Sequence, residues 1–279
     1  MTTPYSRLLL ATEHSEHDRG AETLAFALAS HCQLPLAGVL PLLSNPEFEM
    51  VAPQRARQAE AEAAARIQSL AARASQAGVA LDLRLRRGAR LFQEIVAEAR
   101  ERGADLLVIR RRGRRGLLAQ LLVGEMVSQV VAHAPCSVLV TPQGSTMWSR
   151  RVLLGLDPTA PDAALLRQAA ALADACRLPL RAVCVAAAES TRAAAQVALD
   201  AAVAQAQALC GQAEGELRIG RPHEQLLAAA QACGADLMVL ARERGRPKRG
   251  RLGGVAEEVI GHALCPVLVH VNKQGASPP

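Results

Sequence analysis

The chain has 279 residues, half of them apolar, which is enough for two ordinary cores of about 140 residues each. No apolar run approaches the roughly 20 residues that a membrane-spanning helix needs, and the apolar core of MTTPYSRLLLATEHSEHD is too short for a secretory signal, so a cytoplasmic protein without a membrane partner is expected. The net charge of +6 is local: residues 110–115 hold five Arg, and residues 242–251 hold five Arg and one Lys against Glu243, so the rest of the chain is slightly acidic.

Taken in order, residues 6–12 (SRLLLAT) predict a first strand that ends at Glu13 and enters the polar turn HSEHD. Residues 19–32 place Ala21, Leu24, Leu28 and Cys32 at helical spacing, and residues 34–43 read as a second strand. SNPEFEMVAP, with two prolines, reads as a loop before an alanine-rich helix over about 54–77, which Gly78 stops. A third strand over 79–86, a helix over 91–101 and a fourth strand over 105–109 lead into the first basic run. Gly124 then precedes a helix of about ten residues, Pro135 breaks it, and 136–141 is a fifth strand. Residues 142–149 (PQGSTMWS) have linker composition. The order restarts with a strand at 150–157, a helix at 161–176, a strand at 178–186, a helix at 189–210 and a strand at 215–219. A helix at 222–233, a strand at 236–240, the second basic run, a helix at 254–263 and a strand at 265–271 complete it. Strands alternating with helices at these spacings imply βαβ units and parallel sheets covered on both faces.

The two halves are copies. GADLLVIRRRGRRGLLAQLLVGEMVSQVVAHAPCSVLVTP recurs as GADLMVLARERGRPKRGRLGGVAEEVIGHALCPVLVHV, the copies beginning about 131 residues apart, so the chain is a tandem duplication. Each copy runs from a buried strand through a basic glycine-bearing loop to a helix N-terminus, a place where backbone N–H groups can converge on an anion. The loops also read as solvated, self-repelling segments, and as surfaces for an acidic partner. An aromatic content of 2% leaves almost nothing on which bases could stack, which argues against a nucleic-acid partner. The seven cysteines contain no CxxC pair and sit mostly among apolar neighbours, so reduced structural thiols are expected. His133 with Cys136, and His262 with Cys265, supply too few ligands for a metal site. No nucleophile with an oriented base is readable from the spacing.

On the opening LLLATEHSE, the repeated GADLLVI and GADLMVL, and the endings HAPCSVLV and HALCPVLV, the chain resembles the universal stress protein family in its tandem form. The resemblance implies an α/β fold of two five-stranded parallel-sheet domains, 1–143 and 150–273, similar to the adenine-nucleotide α-hydrolase group. It also implies packing as an intramolecular pseudo-dimer or a homo-oligomer through the last strand, and a stress-response protein rather than an enzyme. Nucleotide-binding members carry an acidic residue after the first strand and a loop of G, two residues, G, nine residues, G, then Ser or Thr. Carried over by position, that pattern implies adenine-nucleotide (ATP) contacts at Glu13, Val39, Arg110, Gly113, Gly116, Gly124 and Glu125 in the first half. In the second half it implies Asp157, Val183, Gly253 and Gly254. Both loops depart from it: Arg110 stands at the first glycine and Glu125 at the hydroxyl position, while Ala241 and Arg244 replace glycines of the second copy. Glu13 and Asp157 also suit turn or helix caps, and the glycines suit turns.

Overall fold

The computed structural model describes residues 4–111, 124–242 and 254–271. The first half places β1 (Leu8–Ala11), α1 (Arg19–Cys32), β2 (Leu36–Leu43), α2 (Pro46–Val51), α3 (Pro53–Gln76), β3 (Leu81–Gly88), α4 (Leu91–Glu101), β4 (Leu106–Arg110), α5 (Glu125–His133) and β5 (Ser137–Thr141) in order. The second half repeats it as β6 (Val152–Leu156), α6 (Ala163–Cys176), β7 (Leu180–Ala186), α7 (Arg192–Cys210), β8 (Ala213–Ile219), α8 (Pro222–Cys233), β9 (Leu237–Ala241), α9 (Gly254–His262) and β10 (Val267–His270). The stretch expected to be a loop at 44–53 contains the short helix α2, where Glu47 N–H donates to the Asn45 side chain and starts the turn.

All strands join one ten-stranded sheet in the order β3-β2-β1-β4-β5-β10-β9-β6-β7-β8. Pairing within each half is parallel, as the βαβ reading requires, and the halves meet where β5 and β10 run antiparallel with Leu139 opposite Leu268. The core therefore differs from two separate cores. Alternate strand residues point to opposite faces, so Leu9, Leu107, Val138, Val267 and Met238 build one apolar layer under α4, α5, α8 and α9. Leu10, Val108, Leu139, Leu268 and Val239 build the other, under α1 and α6, and both layers cross from one half into the other. The linker is part of this packing, since Trp148 is buried and donates its indole N–H to Cys176 Sγ at 3.3 Å.

The repeated GAD has a physical explanation. Gly103 and Gly234 follow α4 and α8 with φ of 58° and 65°, a left-handed conformation that costs glycine little. The next residues, Ala104 and Ala235, return N–H bonds of 2.9 Å to Ala99 O and Ala230 O and are buried. Asp105 then accepts from the N–H groups of Ser6 and Arg7 at 2.8 and 2.9 Å, and Asp236 from those of Ser149, Arg150 and Arg151 at 2.7–3.0 Å. Each aspartate thus ties down the chain entering the first strand of its half. Replacing either with Ala leaves two or three N–H donors without that acceptor, and a loss of about 1–3 kcal/mol is expected in urea unfolding for each.

Glu98 on α4 is one of the buried acids of the first half, with a side chain 0% exposed. Arg86 Nε of β3 donates to it at 2.5 Å and Arg102 Nε at 2.7 Å. Burial pushes its carboxyl up, but the bonds from Arg102 and Arg86 outweigh burial and hold it below the usual carboxylate range. A depressed folded value means stability that is present above the ordinary carboxylate pKa and lost as pH falls through the folded one. Unfolding midpoints should therefore fall as pH is taken below 4.5. In Glu98→Gln that acid dependence should flatten, with a cost near neutrality of about 1–3 kcal/mol, because Arg86 and Arg102 lose a charged acceptor but keep Glu94, Glu101 and Asp82.

Candidate nucleotide cleft

Strand order reverses on the two sides of β1 and of β6, so the carboxyl ends of β1 and β4, and of β6 and β9, are where a sheet of this kind offers a cleft. In the first half Glu13 follows β1 and Arg110 ends β4. Arg110 is only 9% exposed. Its Nη2 lies 3.0 Å from Glu13 Oε2 and its Nε 3.0 Å from Asp18 Oδ1. Asp18, itself buried, also accepts from Ser15 N–H at 2.9 Å, which fixes the turn into α1. The sequence pattern missed Asp18, although its place just ahead of α1 makes it an expected cap.

The arginine fills the place where a glycine would leave room. Between Glu13, Asp18, Pro41, Ile95, Arg110 and Met126 the remaining cavity is about 10 Å³, the size of one water, against the several hundred Å³ of an ordinary ligand pocket. Val39 lies on β2 between β1 and β3 with no exposed surface, and its carbonyl accepts from Thr12 N–H at 3.1 Å. Gly124 caps α5 with φ −63°, a conformation open to any residue, and Glu125 begins that helix with an exposed side chain beside the positive end of its dipole. Gly113, Gly116 and Gly253 lie outside the described residues, as does Arg244.

The second half is arranged differently. Asp157 is exposed and accepts from Thr159 N–H at 2.8 Å and Thr159 Oγ at 2.6 Å, the turn role that its residue type also allowed. Val183 is fully buried in the core, Ala241 closes β9, and Gly254 opens α9 at φ 68°, where a side chain would be strained. His133 and His262 each place Nδ1 against the carbonyl four residues earlier, at 2.8 and 2.9 Å, and among the described residues no cluster of potential metal ligands forms.

One arginine of each basic run crosses to the opposite half. Arg111, next after β4, puts Nη1 at 3.2, 3.3 and 2.6 Å from the carbonyls of Ile260, Gly261 and Ala263 at the C-terminus of α9. Arg242, next after β9, puts Nη1 at 3.4, 3.2 and 3.0 Å from those of Val131, Ala132 and Ala134 at the C-terminus of α5. Burial pushes both guanidiniums down from their ordinary values, and the helix C-termini supply the partial negative charge that offsets it. These two positions stand one repeat length apart, a signal that the sequence carried but that reads as loop charge. Arg111→Met and Arg242→Met keep the apolar stem and remove the donors, and each should lower stability by about 1.5–3 kcal/mol in urea unfolding.

The profile of the Universal stress protein family matches residues 4–142 and again residues 149–270. Among curated proteins none matches the chain. A solved structure of a protein of unknown function from Pseudomonas aeruginosa shares 16% identity at a TM-score of 0.69, over 97% of this chain and 94% of that one. A universal stress protein from Archaeoglobus fulgidus shares 18% identity at a TM-score of 0.67, over 95% of each chain. Identities this low show likeness of fold, while the two profile matches cover almost the whole sequence. With its doubled βαβ order and its two halves joined through their last strands, the chain belongs to the universal stress protein family, in the tandem two-domain form.

Proposed function

We propose that this chain is a regulatory stress-response protein whose adenine-nucleotide position in the first half is held shut by its own arginine. The observation that supports the reading is Arg110, whose guanidinium lies between Glu13 and Asp18 in the space that a short residue would leave open. Domains 1–143 and 150–273 are the two units, and the first is the one with a cleft lined by acidic groups. Glu13 and Asp18 are the groups that would face a ribose or an amine once Arg110 withdrew, and Glu125 competes with phosphate for the N-terminus of α5. No bond-making chemistry is assigned to this cleft. Its output would be a change of conformation at the start of the first basic run, because Arg110 and Arg111 are neighbours and Arg111 holds α9 of the other half.

ATP is the ligand to test, as the Mg²⁺ complex, by calorimetric titration at moderate salt so that nonspecific attraction to the arginine runs is screened. The native chain should bind weakly. Arg110→Gly with Glu125→Ser removes the occupying side chain and the competing carboxylate, and affinity should rise at least tenfold. Unchanged affinity in a folded double variant would refute a closed nucleotide site. It would favour an interaction protein that meets an acidic partner through the arginines beyond Arg110 and Arg111.

A further inference from the structure

Beyond the lining of the cleft, the turn after β1, α1 and α3 bring together a chain of polar side chains that the nucleotide reading does not use. Glu22 lies in the first turn of α1 with a side chain 0% exposed. Its Oε1 is 2.8 Å from Nδ1 of His14, in the turn after β1, and accepts from Thr12 Oγ at 2.9 Å. Its Oε2 pairs with Arg73 of α3. The far nitrogen of the same ring, His14 Nε2, is 2.9 Å from Ser69 Oγ, also on α3. An ionised carboxylate can only accept, so Nδ1 carries the ring proton toward Glu22 and Nε2 presents its lone pair to the serine hydroxyl. Ser69 is exposed on its helix, so the hydroxyl that His14 contacts is open to solvent.

The backbone supports the same arrangement. His14 has φ 51°, the left-handed region in which a residue other than glycine is strained, and its N–H donates to Thr12 Oγ at 2.9 Å. A strained histidine held at both nitrogens, one by a buried acid and the other by an exposed hydroxyl, has the order of a nucleophile, its base and the acid that orients the base. Arg73 stands one helical turn beyond Ser69 on the same face of α3, with its guanidinium on Glu22, so α3 carries both ends of the network.

We propose that Ser69 is a nucleophile toward activated acyl esters, with His14 as its general base and Glu22 as the positioning residue. Ser69 Oγ forms a bond to the acyl carbon as the bond from that carbon to the leaving oxygen breaks. The hydroxyl proton passes to His14 Nε2 and then to the leaving alcohol or phenol. Glu22 lies opposite the imidazolium and orients it, and Arg73 is the partner that holds the other oxygen of Glu22. Water then attacks the acyl-serine with its proton taken by His14, which releases the carboxylic acid and restores Ser69. The hydroxyl lies on an open helix face that sets no limit on acyl length, so activation of the leaving group defines the substrate class.

The test uses the full chain with p-nitrophenyl acetate and with a fluorophosphonate probe. Fluorophosphonate should attach to Ser69, located by mass spectrometry of the peptide that carries it. The rate of p-nitrophenol release should fall about 10²-fold or more in Ser69→Ala, within the range that a positioned base contributes. Alanine on an exposed helix position keeps the fold, so that variant reads chemistry alone. His14→Gln should abolish labelling while Ser69 remains, with folding checked by circular dichroism. Labelling absent from Ser69, or ester hydrolysis equal in the native chain and Ser69→Ala, would overturn the proposal and leave the network as a tie between α3 and the β1–α1 turn.

Discussion

The antiparallel pairing of β5 with β10 is the contact on which the rest of this structure depends. Each five-stranded half has one edge, at its last strand, that is apolar on both faces: Val138, Leu139 and Val140 in the first, Val267, Leu268 and Val269 in the second. Left open, such an edge would present unpaired backbone groups flanked by apolar side chains. Placing the two edges together satisfies the ladder and makes each apolar layer continuous across the molecule. The same pairing sets α5 and α9 within reach of the arginines that follow β9 and β4. The crossed arginine contacts are thus a consequence of the register of one short ladder.

Charge is handled in two ways around that frame. Where carboxylates are near, as at Glu98, Glu22 and Asp18, arginines pair with them directly. At Arg111 and Arg242 the acceptors among the described residues are carbonyls at a helix C-terminus, which carry only a partial charge. Both guanidiniums are depressed by burial, and each meets three carbonyls through one nitrogen.

Much of this was legible in the sequence, because the repeat sets the element order and the alternation of apolar residues sets the faces. The joining of the halves through 136–141 and 265–271 was implied by the resemblance to the universal stress protein family, not by the residues of those segments alone. The short helix at 46–51 was hidden by its proline, which reads as a loop signal but is also the residue best suited to start a helix. The closing of the first cleft depends on where the long Arg110 side chain turns, and a sequence gives its identity without its direction. The Ser69, His14 and Glu22 contact joins positions 55 and 8 residues from the histidine, on a helix and a turn that no local spacing brings together.

The order in which the strands leave the ribosome gives the central ladder a further meaning. β5 is complete at Thr141, but its partner begins only at Val267, so more than a hundred residues must be made before the first half can be covered. At common translation rates that interval is on the order of ten seconds. Throughout it, the nascent first half presents a short apolar edge, and Arg111 lacks the helix whose carbonyls it will meet. A second nascent chain at the same stage carries the same edge. The fused arrangement therefore places a time window, rather than a surface, at the point where this molecule is most open to pairing with the wrong copy of itself.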